Sequence, residues 1–331
     1  MATVTRRRLI GITAAAGGLA LLPVGTRAAA EGHLVGWRGQ CMGAVASLQI
    51  HHPDRAEAER LIAATLVEVA RLERIFSLHR DDSALVRLNR DGMMIAPPSE
   101  LVALLSDCRR YWTLSGGAFD PTVQPLWTLY RRHFAEPDAD PSGPPAAALS
   151  RALAVVGFEH VIVGPDRILF RRRGMALTLN GIAQGYITDR VVALLSRGGV
   201  DRSLVDMGEP RALGRRPDGK PWQIGIADAM EPSHTTQVLD VVDGAVATSS
   251  AHGFRFDRDG RFHHLLDPQS GASPDRYRSV TVAMPTATAA DALSTAFSLM
   301  PAQDVLRATQ ALGAGRVYLT NATGRTEAIG A

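Results

Sequence analysis

Beyond residue 158 the chain breaks into short apolar runs at 159–163, 167–171, 175–179, 203–207, 222–227, 236–242 and 279–284. Each has the length of a strand, and the runs do not alternate regularly with helices as βαβ units would. Helical periodicity marks 55–76, a stretch capped by Ser99 that runs to Ser115-Gly116-Gly117, and 183–197, 288–299 and 302–311. Residues 35–51 read as extended around Met42-Gly43, and 136–145, rich in Pro, Asp and Gly, is the clearest loop. A helical first half followed by strands with helices interspersed predicts an α+β fold rather than a doubly wound sheet. No G-x-G-x-x-G or Walker sequence is present, so the commonest nucleotide-binding solutions are absent.

The first thirty residues stand apart. Thr5-Arg6-Arg7-Arg8-Leu9-Ile10 leads into an apolar run to Val24 and then Ala28-Ala29-Ala30, the pattern of a twin-arginine export signal cleaved to leave a domain at 31–331. The run is short and broken by Pro23, which makes it a poor membrane-spanning helix. The expected location is therefore the periplasm. Removing residues 1–30 takes away four arginines and no acid, so the formal charge falls from +3 to −1. The basic balance belongs to the signal, and no nucleic-acid partner is expected. Cys41 and Cys108 match no metal or redox spacing. They could pair in an oxidising compartment, but the apolar helical setting of Cys108 favours two separate thiols.

Two segments concentrate groups capable of chemistry. His-Leu-Leu-Asp-Pro-Gln-Ser-Gly (264–271) offers an imidazole, a carboxylate and a tight turn. Ala-Asp-Ala-Leu-Ser-Thr (290–295) sets Asp291, Ser294 and Thr295 at i, i+3 and i+4, which places their oxygens on one face of a helix. Hard oxygen donors on a rigid element suit Mg²⁺, which is often bound together with substrate phosphates. Metal-assisted phosphate chemistry is the expectation. Gly-Gly-Ala-Phe-Asp-Pro-Thr (116–122) is a glycine pair before an acidic turn, where backbone amides can approach a ligand. Leu-Asn-Gly-Ile-Ala-Gln-Gly-Tyr (179–186) puts glycines at a strand-to-helix junction, where amides and the helix dipole favour phosphate. Each glycine arrangement taken alone is more often a turn or a packing device.

Taken in order, Met42-Gly43, Gly-Ala-Phe-Asp-Pro-Thr (117–122), Gly-Ile-Ala-x-Gly-Tyr (181–186), Ala-Thr-Ser (247–249), His-x-x-Asp-Pro-x-x-Gly (264–271) and Ala-Asp-Ala-x-x-Thr (290–295) resemble the FAD:protein FMN transferase family over nearly the whole mature chain. The resemblance implies an ApbE-like fold, with mixed or antiparallel sheets, packed helices and a flavin site in a central cleft. It implies a Mg²⁺-dependent enzyme that splits FAD at its pyrophosphate, joins FMN by a phosphoester to a Thr or Ser of a partner protein, and releases AMP. That partner would be a membrane redox subunit carrying Asp-x-x-Ser/Thr-Gly-Ala-Ser/Thr. Met42, His79, Ala118, Phe119, Asp120, Thr178, Gln184 and Leu266 fall at FAD-contacting positions; the Gly181 carbonyl, Asp291, Ser294 and Thr295 fall at the metal site. His264 matches the histidine that helps deprotonate the acceptor hydroxyl, and its neighbour His263 would point the other way on a strand.

The chain departs from the family pattern on its loops. Gln184 brings no charge where many members have Lys or Glu, and His79 stands where a Tyr often stacks on flavin. Met207-Gly208-Glu209-Pro210 lacks a second Gly and the Asp or Asn after it, and Thr-Ser-Ser-Ala-His (248–252) replaces Thr-Ser-Gly with a polar and an aromatic residue. With the export route, these changes are similar to the branch that serves nitrous-oxide reductase maturation. Asp267 to Ser273 itself fits the acceptor pattern; the favoured reading is the family's own turn, and self-modification at Ser273 is the sharper alternative. Two other functions share the same residues: an FAD pyrophosphatase with water as acceptor, and a non-catalytic flavin-binding maturation factor.

Overall fold

The computed structural model describes residues 32–231 and 233–330, so the export signal expected at 1–30 lies outside the described residues. Strands β1 (His33–Cys41) and β2 (Ala44–His52) form a hairpin closed by Met42-Gly43. Ala46, Leu48 and Ile50 of β2 alternate into the core and meet helix α1 (Arg55–Phe76), whose Leu61, Val69, Leu72 and Phe76 are buried. Asp54 caps α1 by accepting from the Ala56 and Glu57 amides. Helix α2 (Ala84–Asp91), capped by Ser83, leads to β3 (Met93–Ile95) and α3 (Ser99–Leu114). Ser99 does not cap α3 as expected. Pro98 holds the cap position, and the Ser99 hydroxyl turns to Glu100 instead.

Helices α4 (Gln124–His133) and α5 (Ala146–Leu153) flank the 136–145 loop and were not legible as helices. Strands β4 (Val161–Val163) and β5 (Arg167–Phe170) join β3 in a small antiparallel sheet, and a 3-10 turn at Phe158–His160 takes the start of the run expected at 159–163. The run expected as a strand at 175–179 is not one. Among the described residues no strand pairs with it; the Asn89 side chain donates to the Leu177 carbonyl at 2.8 Å and accepts from its amide at 2.7 Å, and the Pro121 carbonyl accepts from the Thr178 amide. One amide side chain thus does for Leu177 what a neighbouring strand would.

Helix α6 (Ala183–Arg197) is followed by β6 (Arg202–Asp206), β7 (Pro210–Leu213), the hairpin β8 (Trp222–Ala227) and β9 (Thr235–Val241), and β10 (Ala245–Ser249). Strand β11 (Ser279–Met284), helices α7 (Ala287–Leu299) and α8 (Ala302–Leu312), and strands β12 (Arg316–Thr320) and β13 (Thr326–Gly330) complete the chain. The main sheet has eight strands in the order β1-β2-β6-β7-β10-β11-β12-β13, antiparallel in all its described pairings. Its faces separate by period two: Val205, Val317 and Leu319 join the helical core, while Leu204 and Tyr318 face the β8–β9 hairpin through Trp222, Ile224 and Leu239. The α+β expectation holds. Ala245 and Ala247 meet Ala287 and Ala290, and these small side chains let α7 lie close on β10.

Candidate active site

The close approach of α6 and α7 organises the chemistry. A Cβ at Gly185 would fall 2.3 Å from the Ala287 carbonyl oxygen, so only glycine lets the two helix starts touch. Each helix then caps the other. Asp189 of α6 accepts from the Ala287 and Thr288 amides, both at 2.9 Å, and from the Thr288 hydroxyl at 2.5 Å. Asp291 of α7 accepts from the Gly185 amide at 3.0 Å, where Ile182 offers α6 no side-chain cap. The Gly185 amide expected to cradle phosphate is therefore spent on Asp291, and the packing role of that glycine prevails.

Beside this junction lies a cavity of about 440 Å³ between the sheet, the β8–β9 hairpin and the loops after α3 and β10. It gathers Met42, His79, Ala118, Phe119, Asp120, Thr178, Gly181, Gln184, His264, Leu266, Asp291 and Thr295. Of the expected site residues only Ser294 is not on its wall. Ser294 is 1% exposed, donates to the Asp291 carbonyl at 3.0 Å, and lies 2.8 Å from the Ser249 hydroxyl, which does line the cavity. Ser294 fixes the position of its neighbours instead of facing the ligand space. Asp120 presents its backbone more than its carboxylate: the side chain is saturated by the Thr122 amide and hydroxyl, the Phe158 amide and the Trp112 indole.

Asp206 and Glu209 also line the cavity, and neither was singled out as a ligand group in the sequence. Pro210 starts β7, and Met207-Gly208-Glu209 makes the turn. Thr188 of α6 ties that turn down, donating to the Glu209 carbonyl at 2.9 Å and accepting from the Met207 amide at 3.2 Å. Burial pushes Asp206 up to about 6 and, with the charge of Asp189 behind it, Asp291 up to about 7. Burial and the charges of Asp291 and Asp206 push Glu209 up as well. Among the described residues no Lys or Arg lines the cavity to neutralise them.

A cation would relieve that imbalance. The donors at hand are hard oxygens: the Asp291 carboxylate, the Thr295 hydroxyl and the Gly181 main chain, so close to Thr295 that a Cβ there would fall 2.8 Å from Oγ1. Among the described residues no three His, Cys, Asp or Glu side chains converge to hold a metal, so a cation here would rest on one or two carboxylates with neutral oxygens. Such a set fits Mg²⁺ better than Zn²⁺.

His264 lines the cavity, whereas His263 is 2% exposed in the interior and lies off the wall. The His264 Nδ1 sits 3.1 Å from the Phe254 carbonyl oxygen. A carbonyl only accepts, so Nδ1 carries the proton and Nε2 keeps its lone pair. Burial holds the His264 imidazolium below its ordinary range. Ser273 does not line the cavity; its hydroxyl donates to the His263 carbonyl at 2.9 Å and accepts from the His263 amide at 3.0 Å. Cys41 and Cys108 are separate buried thiols.

Comparison with known proteins places this geometry. Residues 42–318 match the model of the ApbE family. The chain is 34% identical over 269 residues to the FAD:protein FMN transferase of Treponema pallidum, covering 73% of this chain and 71% of that protein. It is 30% identical over 284 residues to one from Klebsiella pneumoniae, covering 81% and 80%. The fold is similar to the apo flavinyl transferase ApbE of Pseudomonas stutzeri, at a TM-score of 0.76 and 26% identity over 92% of this chain and 97% of that one. The ApbE protein of Thermotoga maritima superposes with a TM-score of 0.79 and 26% identity over 90% and 97%.

Proposed function

The chain belongs to the ApbE family of FAD:protein FMN transferases, and on that premise we propose that it moves FMN from FAD to a Ser or Thr hydroxyl of an acceptor protein, with Mg²⁺, in the periplasm. The observation that carries the proposal is the cavity wall: Asp206, Glu209 and Asp291 line it and, among the described residues, no Lys or Arg does, although the substrate's pyrophosphate is itself anionic. A cation between them would let two sets of negative charge share such a space. Asp291, Thr295 and the Gly181 carbonyl would hold that ion. Once bound it would neutralise charge on the pyrophosphate oxygens.

The chain's own residues do the rest. Phe119, Thr178 and Leu266 supply walls for the flavin half of FAD. His264 Nε2 takes the proton of the acceptor hydroxyl, which burial favours by keeping the ring neutral near pH 7. The hydroxyl oxygen bonds to the phosphorus on the FMN side, the bond from that phosphorus to the bridging oxygen breaks, and AMP leaves with the electron pair. The acceptor is a membrane redox subunit with the Asp-x-x-Ser/Thr-Gly-Ala-Ser/Thr sequence, and maturation of nitrous-oxide reductase is the setting in which the altered loops fit.

The test is an in-gel flavin fluorescence assay with FAD, Mg²⁺ and a tagged acceptor bearing that sequence, with and without EDTA. A fluorescent acceptor band that EDTA removes supports the proposal. FMN release at full rate without acceptor would replace it with a pyrophosphatase. Bound but intact FAD would replace it with a maturation factor.

A further inference from the structure

The turn between β1 and β2 is built against its own sequence. Met42 and Gly43 close a two-residue hairpin loop with φ of 51° and 87°. Positive φ at both positions is the type I′ turn, whose first position favours Asn, Asp or Gly. Methionine has no such ease in the left-handed region, and residues held there tend to mark functional sites. This methionine is also part of the cavity wall.

A second anomaly faces it. Glu73 lies in the last turn of α1, where the helix's negative end disfavours a carboxylate. Its charge is close enough to the buried Cys41, together with that of Asp206, to help push the Cys41 thiol up. Among the described residues it makes no ion pair with Arg or Lys; instead Oε1 accepts from the Met42 amide at 2.7 Å, across 31 residues of sequence. A carboxylate kept in an unfavourable place and spent on the amide of a strained residue has a use for that residue's conformation.

We infer that Glu73 is a positioning residue for FAD: by fixing the Met42 amide it holds the turn in its left-handed form and sets the Met42 side chain against the cavity. The inference rests on the reading of that cavity as the FAD site. Glu73 touches no reacting atom, and its effect falls on binding.

The experiment compares the full mature protein with Glu73→Met, which keeps a stem of similar length without an acceptor, and with Glu73→Gln, whose amide oxygen still accepts. FAD affinity is followed by flavin fluorescence, transfer by the gel assay, and the Met42 amide by hydrogen exchange. Glu73→Met weakens FAD binding about tenfold and changes kcat less than about twofold, because a hydrogen bond to a charged group is lost at a distance from the chemistry. Its Met42 amide exchanges faster, and Glu73→Gln recovers most of both effects. Equal FAD affinity in Glu73→Met and wild type, whatever happens to the melting temperature, overturns the inference, and so does a Glu73→Gln variant as weak as Glu73→Met. A wild-type protein that binds no FAD removes the flavin reading itself, and this inference with it.

Discussion

Two parts of the cavity wall are built in opposite ways. In one, Asp291 and Thr295 ride on α7, and α6 and α7 are locked by reciprocal caps from Asp189 and Asp291. In the other, His264 comes from the long irregular stretch between β10 and β11, where Arg255 and His263 make an isolated bridge. There, among the described residues, the His252 ring has no hydrogen-bond partner at Nδ1. A small ion and a pyrophosphate need oxygens placed to a fraction of an ångström, which regular elements capping one another supply. A protein's hydroxyl arrives on a large and variable body, and irregular chain is the better host for it.

Variants can break that contrast. Asp291→Ala abolishes Mg²⁺-dependent transfer, by roughly a thousandfold or more if the charge on the pyrophosphate depends on the ion; retained activity in the gel assay would remove the metal site. In the metal-free protein the sign for stability is opposite. Asp291 has a folded value near 7 against an unfolded value near 3.8, so its ionisation opposes folding in full above pH 7, and the opposition is lost progressively as pH falls from 7 toward 3.8. Asp291→Asn therefore raises metal-free stability at pH 8 by about 2 kcal/mol, and by less at pH 6, as read by urea unfolding. Next in size, His264→Ala lowers kcat by about a hundredfold or more while FAD affinity stays within about twofold. Loss of binding instead would make His264 part of the flavin site.

Smaller effects sharpen the same comparison. Asp189→Asn removes the charge from the α7 cap and from its pair with Arg211, destabilising the fold by about 1–2 kcal/mol and raising the Mg²⁺ concentration needed for half-maximal rate. Asn89→Ala leaves the buried Leu177 amide and carbonyl without partners and lowers stability by about 1–3 kcal/mol. Smallest is the pH response: with Mg²⁺ saturating, the acid limb of kcat falls below pH 6.5, because burial lowers the His264 value and its basic form persists into mild acid. An acid limb above that point would assign the limb to another group.

Helices α6, α7 and α8 were legible to within a residue, because amphipathic periodicity is local and needs no partner. Strands depend on what lies beside them. Residues 175–179 have the composition of a strand but find the Asn89 side chain, whereas the Ala- and Ser-rich β10 becomes a strand because β11 and α7 lie against it. The site divides the same way. The residues named from the motifs line the cavity except for Ser294, whose direction depends on how closely α7 meets β10. Asp206 acquires a role only when the sheet brings it to the cavity near Glu209, and Glu209 was visible only as a break in a pattern.

The cavity wall runs from Met42 to Leu299, and that span has a consequence for how the protein is made. Strand β2 must wait for β6, and Asp291 and Thr295 emerge from the ribosome some 250 residues after Met42. Contacts so distant in sequence form late and cooperatively. A nascent chain halted before α7 lacks the Asp291 and Thr295 wall, so the cavity is complete only once that helix has been made.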